Sequence, residues 1–424
     1  MSKFKATPLF DAHKTFVRLP MGMAMLNEYP DSQAFIDQLI KNSVDVSQDF
    51  IQAQAFLRSY SRKSEATYRS YRNEIERLLL WSWTVIGKDI TQLKRGELET
   101  FFDFVHSPPA VWVAESVQDR FKLISGEWRQ NENWRPFVAK IAKEDRKEAQ
   151  AAGLEVRPVK DGHKLSGEAM KICFSAISCF FDYLSDEGLT FGNPIPAIRK
   201  QSPFLIKGVT QKNIKRLSGL QWDYVLSCSE LAANQDANYE RMLFIVALLK
   251  TLYLRVSELS ERSNWQPVWQ HFWEDSDGNH WLKVLGKGNK IRDISVPSAL
   301  FPFIKRYKQY REQLSTHFNS NAALVVKNRG VGGMSSRQLR YIVQEAFDMA
   351  YDKMLSESFE DEAKALREAT THWLRHTGAS QDISTRPLKH MADDLGHASM
   401  GTTDQVYIQS DMKERARTGK DRDV

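Results

Sequence analysis

Residues 269–297, WQHFWEDSDGNHWLKVLGKGNKIRDISVP, decide the fold class. Short β-compatible runs alternate there with Asp277-Gly278-Asn279 and Gly286-Lys287-Gly288-Asn289, so the stretch predicts a three-stranded antiparallel sheet. Everything around it reads as helix. A strongly apolar helix precedes it over 239–254, and helices follow over 336–354, about 362–380, and in short pieces after Pro387. The expected fold is mainly α (α+β), with a helical first domain and an α-rich second domain that carries one small antiparallel three-stranded sheet.

The first half supports that reading. A helix is expected over 50–60. A second, opened by Ser64, places Tyr68, Tyr71, Ile75, Leu78 and Leu79 on one stripe and Arg69, Arg72 and Arg77 on the polar face. A third runs over 93–105 and stops before Pro108-Pro109. Another, over 166–184, repeats apolar residues at Met170, Phe174, Ile177, Phe181 and Leu184. The domain organisation expected is an N-terminal arm over 1–45, interrupted by Pro20, Gly22 and Pro30, then a helical domain over 46–196. That domain holds an insertion at about 107–162, with Trp112, Trp128, Trp134 and a charged helix in KIAKEDRKEAQ. A basic linker over 197–216 leads to a second domain over 217–424. In the linker Arg199, Lys200, Lys207, Lys212, Lys215 and Arg216 have no acidic residue among them, and Pro194, Pro196 and Pro203 argue for an extended strap able to follow a phosphate backbone. A solvated linker is the plain alternative.

At 424 residues the chain is long enough for two cores. Its net charge of +6 leans toward an anionic partner. Cys173, Cys179 and Cys228 form no C-x-x-C pair and suggest neither a disulfide framework nor a zinc site. No secretion signal and no membrane-length apolar run is present, so a cytoplasmic location is expected. Phosphate-loop, Rossmann and H-E-x-x-H motifs are lacking, which removes the usual nucleotide and zinc readings.

What remains is a set of basic and imidazole groups in the second half. Phosphoryl transfer needs positive charge on the non-bridging oxygens, a nucleophile and a proton donor for the leaving oxygen. In THWLRHTG, His372 and Arg375 are three apart, so on a helix they share a face and can meet one phosphate. An isolated H-x-x-R is more often a surface pair. His376 stands four after His372, a helical metal spacing, but no third ligand is near and the intervening arginine opposes a cation. Arg255 closes an apolar helix with Glu258 three residues on, which fits a structural ion pair equally well. Lys287 sits in a glycine-flanked turn, where any lysine is at home.

Order and content together resemble the tyrosine recombinase (phage integrase) family. RVSEL at 255, LGKGNK around 287, HWLRH at 372, LGH ending at His397 and VYI around Tyr407 stand in the family's order within about 150 residues. The resemblance is strong over the second domain and looser over the first, where SEATYRSYRNEIERLLLW looks like the family's DNA core-binding domain. It implies that Arg255 and Arg375 clamp the scissile phosphate and that Lys287 protonates the 5′ oxygen. His372 would move the tyrosine proton, His397 would bond the phosphate, Glu258 would support the site, and Tyr407 would form a 3′-phosphotyrosyl link. The implied protein is a site-specific DNA recombinase for integration, excision or resolution of a mobile element. It would need no cofactor, metal or ATP, and would act on double-stranded DNA as a synaptic homo-tetramer in the bacterial nucleoid. A type IB topoisomerase-like relaxing enzyme and a catalytically silent DNA-binding relative are the alternatives. Candidate DNA contacts are Lys63, Arg69, Arg72, Lys290 and Arg292 together with the six linker residues. Two departures stand out. Tyr253 occupies a position where the family often has glycine, and Tyr407 lies ten residues after His397, one more than is common.

Overall fold

In the computed structural model, residues 6–42, 44, 46–62, 64–141, 143–205, 215–314, 318–327 and 329–397 are described. The chain divides into two compact units, residues 1–210 and 211–424.

The first unit is built on the helices Ser47–Ser61, Glu65–Trp81, Arg95–His106 and Gly167–Asp186. Two of them begin as their sequences require. The Ser64 and Ser166 side chains accept from the amides of Thr67 and Ala169, satisfying donors that the first turn leaves unpaired. The expected apolar stripes face inward: Tyr68, Ile75, Leu78 and Leu79 on one helix, Met170, Phe174 and Ile177 on another, are fully buried. Phe102 and Phe174 stack across the helices with centroids 3.9 Å apart.

Residues 6–41 do not form an arm. Leu9, Phe10, Phe16, Met25, Leu26 and Ile36 are fully buried in this core, and Phe10 stacks on Phe50 at 5.3 Å. The Leu9 amide donates to Glu76 at 2.7 Å. The residues read as interruptions shape the path: Pro30 occupies the first turn of helix Pro30–Lys41, where its missing N–H is harmless, and Gly22 takes a φ of 75°. The 107–162 insertion buries Trp112 and Trp134. It forms a hairpin, Phe121–Ile124 against Glu127–Gln130, turning at Ser125-Gly126 with both φ values positive. Its charged run forms the helix Lys143–Ala151. The expected extended strap is also corrected, because Ile195–Gln201 is helical. Pro194 caps that helix and Pro196 lies in its first turn, the one place where proline is compatible with helix. Residues 206–214 lie outside the described residues.

The second unit packs around helix Glu240–Thr251, in which Met242 through Leu249 are buried without a break. Burying each large apolar side chain there contributes roughly 1.5–3 kcal/mol. The sheet has the expected order and sense, Phe272–Glu274, His280–Leu285 and Ile291–Ser295, all antiparallel. Leu282, Val284, Ile294 and Val296 form its buried face. The helix expected over 362–380 is two helices, Glu360–Glu368 and Thr371–Asp382. Ala369 and Thr370 between them are extended, and the β-branched Thr370 and Thr371 are poor helix-interior residues. The break gives His372 and Arg375 a helix of their own.

Candidate active site

Arg255 caps the short helix Val256–Leu259, and Glu258 closes the turn on it. The Glu258 carboxylate accepts from the Arg255 amide at 2.8 Å and from Arg255 Nη1 at 3.0 Å. It also accepts two parallel bonds from Arg292, at 2.9 and 3.0 Å, and lies 4.0 Å from Arg375 Nη1. Only 2% of Glu258 is exposed. Burial would raise its pKa, but the bonds from Arg292 and the Arg255 amide, with the charge of Arg375, outweigh that and hold it below the usual value. One buried anion therefore faces three guanidinium groups, and the surplus charge is positive.

Arg375 is itself buried. Its Nη1 donates to the Tyr253 carbonyl at 2.6 Å and its Nη2 to the Leu395 carbonyl at 2.7 Å. The same Nη2 stands 3.4 Å from His397 Nε2, and Arg255 Nη1 reaches the Leu395 carbonyl at 3.4 Å. Gly396 makes this convergence geometrically feasible. It ends helix Leu388–Leu395 with a φ of 63°, and a Cβ there would sit 3.0 Å from the Arg292 guanidinium. The structure thus brings Arg255, Glu258, Arg375 and His397 together.

His372 is exposed one turn before Arg375, with its ring 6.1 Å from that of His376. Partial desolvation of the ring and the neighbouring Arg375, Arg255 and Arg340 lower its pKa. Burial and the surrounding arginines lower His397 further, to about 4. Both imidazoles are neutral near pH 7, which leaves His372 able to accept a proton. Lys287 stands at the exposed tip of the turn between the second and third strands. That turn is fastened by Asn264 Nδ2 bonding Asn289 at 2.9 Å and by Arg262 Nη2 bonding the Leu285 carbonyl at 2.8 Å. Tyr407 lies outside the described residues, as do Lys63, Lys207 and Lys212.

Two expected DNA contacts are corrected. Arg72 is buried, bonding the Asp11 carbonyl at 2.7 Å, because its helix face is covered by residues 6–16. Arg292 faces inward: alternation along its strand sets it on the side of Ile294, opposite the buried Val284. There it bonds Glu258 and, from Nε at 3.0 Å, the Asp394 carbonyl. An arginine at the apolar parity of a strand was the signal. Arg69, Arg199, Lys200, Lys215, Arg216 and Lys290 are exposed, with Lys215 ion-paired to Glu368. Two basic residues that the motifs did not flag, Arg337 and Arg340, are exposed in the first turns of helix Ser336–Ser356, and Arg340 is near enough to act on His372. Their i, i+3 spacing after Ser335 was the available clue.

The family model of the phage integrases matches residues 226–414, which include Arg255, Glu258, Lys287, Arg292, His372, Arg375 and His397. Residues 226–414 thus carry a phage integrase family domain. It is 29% identical to tyrosine recombinase XerC of Alcanivorax borkumensis over 255 residues, 59% of this chain and 72% of the relative. It is 25% identical to XerC of Shewanella sp. strain W3-18-1 over 256 residues, 60% of this chain and 72% of that one. In fold it is similar to the XerH site-specific recombinase in a post-cleavage complex with a palindromic difH substrate. The TM-score is 0.53 at 14% identity, covering 99% of this chain and 97% of that one. That likeness in fold extends over both units of the chain.

Proposed function

We infer that this site-specific recombinase cuts and rejoins double-stranded DNA through Tyr407, with the Arg255, Arg375 and His397 cluster as its phosphate clamp. The observation that carries the reading is the surplus of guanidinium charge held around one buried carboxylate, Glu258, beside a neutral His397. Such a pocket is matched to an anion whose charge grows in the transition state. Tyr407 Oη attacks the phosphorus and the bond to the 5′ oxygen breaks. His372 takes the tyrosine proton and Lys287 supplies one to the leaving oxygen. The 3′-phosphotyrosyl ester conserves the diester bond, so attack by a 5′ hydroxyl reseals the strand without ATP. Exposed Arg69, Arg199, Lys200, Lys215, Arg216 and Lys290 suit contacts to the DNA backbone. Exchange between two sites calls for four protomers, hence a synaptic tetramer, acting at the nucleoid on the DNA of an integrating, excised or resolved element. Among the described residues no helix is long and apolar enough to cross a membrane.

Incubating the protein with fragmented DNA of its host element, then isolating covalent adducts, tests the reading. The expected outcome is adducts at a discrete sequence, linked through Tyr407 and absent from Tyr407→Phe. Adducts that persist in Tyr407→Phe would assign the nucleophile elsewhere, and no adduct from the unaltered protein would overturn the reading.

A further inference from the structure

Tyr253 lies against the clamp, and the mechanism above leaves its chemistry unused. It is 1% exposed and adopts a φ of 49°, a left-handed conformation that glycine enters freely and a tyrosine does not. Both ends of the residue are engaged. Its carbonyl accepts Arg375 Nη1 at 2.6 Å. Its hydroxyl donates to Asp382, at the far end of Arg375's own helix, and accepts from Arg386 Nη1 at 3.2 Å. Arg386 in turn bonds Asp394 at 2.7 Å and Ser295 at 3.1 Å, on the helix that leads to His397 and on the strand that carries Arg292. Burial, then the bond to Asp382, raises the Tyr253 pKa, so the hydroxyl remains a donor throughout the neutral range.

We propose that Tyr253 is a positioning residue: its hydroxyl, latched to Asp382 and Arg386, holds the left-handed backbone whose carbonyl orients Arg375 toward the scissile phosphate. A glycine would reach the same backbone conformation without strain and without needing a latch. A phenylalanine would keep the strain and lose the latch, freeing the turn to relax and the carbonyl to swing away from Arg375. The proposal rests on the recombinase reading, because it acts through Arg375 on a phosphate.

The test uses the full chain and a nicked duplex bearing the cleavage site mapped by covalent capture. The scissile position carries either the natural phosphodiester or an uncharged methylphosphonate, which lacks the anionic oxygen that an arginine meets. Tyr253→Phe should bind the duplex as the unaltered protein does. It should form adduct roughly tenfold or more slowly on the phosphodiester and nearly normally on the methylphosphonate. Tyr253→Gly should lose less on the phosphodiester than Tyr253→Phe. Should Tyr253→Phe fail to fold by its melting curve, Asp382→Asn makes the same comparison, with the same selective loss expected. Equal losses on both substrates, as a general folding defect would produce, overturn the proposal, and so does a Tyr253→Phe of normal rate. Absence of adduct from the unaltered protein on the phosphodiester instead overturns the recombinase reading, and this proposal with it.

Discussion

Arg292 shows how much a side chain's direction matters. In the sequence it is one more cation beside Lys287 and Lys290, and a DNA contact is the natural expectation. In the fold its side chain is 14% exposed and bidentate to Glu258, so it neutralises the anion that seats Arg255. Arg292→Ala should therefore slow cleavage and lower stability by about 1–3 kcal/mol, the scale for a buried charge left with fewer partners. It should leave the salt dependence of DNA binding unchanged. Lys290→Ala should do the reverse, reducing the slope of log K against log salt by about 0.9 if Lys290 meets one phosphate. Binding titrations over a salt series separate the two, and a slope loss in Arg292→Ala would place that residue on DNA after all. The remaining clamp residues were legible as a motif because their order is shared across the family. What each touches was not, since the partners of Arg375 are backbone carbonyls at Tyr253 and Leu395, distant in sequence.

Among the elements, helix Thr371–Asp382 decides the site, and it is placed by a glycine. A Cβ on Gly378 would lie 2.0 Å from the Lys250 carbonyl and 3.0 Å from the Tyr253 ring. Only a residue without a side chain lets this helix close on the end of helix Glu240–Thr251, which brings Arg375 to Tyr253. Gly378→Ala, although helix-favouring in isolation, should destabilise the second unit by about 2–4 kcal/mol, because backbone cannot yield as a flexible side chain does. Denaturant unfolding measures it, and a change within about 0.5 kcal/mol would mean that the crossing is looser than described. Periodicity located this helix but merged it with its predecessor, since the weak helix propensity of Thr370 and Thr371 becomes a break only where packing buries Ala369 between the two helices. Turn chemistry fared better in the sheet, where Asp277-Gly278-Asn279 and Gly286-Lys287-Gly288-Asn289 mark both hairpins whatever surrounds them.

For the whole molecule, the N-terminal residues belong to the first unit's core. Removing residues 1–28 would strip Leu9, Phe10, Phe16, Met25 and Leu26, all fully buried, from their contacts. The loss is on the order of 10 kcal/mol, comparable with the ~5–15 kcal/mol net stability of an entire domain. The truncated protein should show a first unit that is rapidly digested by protease, and a protease-resistant first unit with native helicity would return these residues to the role of an arm. By itself the sequence determined the two-part organisation of helices, the one small sheet, and the order of Arg255, Lys287, His372, Arg375, His397 and Tyr407. These follow from local propensity, periodicity and a motif order that survive without knowledge of neighbours. Only the tertiary structure decided that residues 6–41 pack inward, that Arg72 and Arg292 are internal, and that Tyr253 holds Arg375 through its own carbonyl. Burial and partner choice are properties of chain segments meeting across tens to hundreds of residues, and no local pattern records which of them meet.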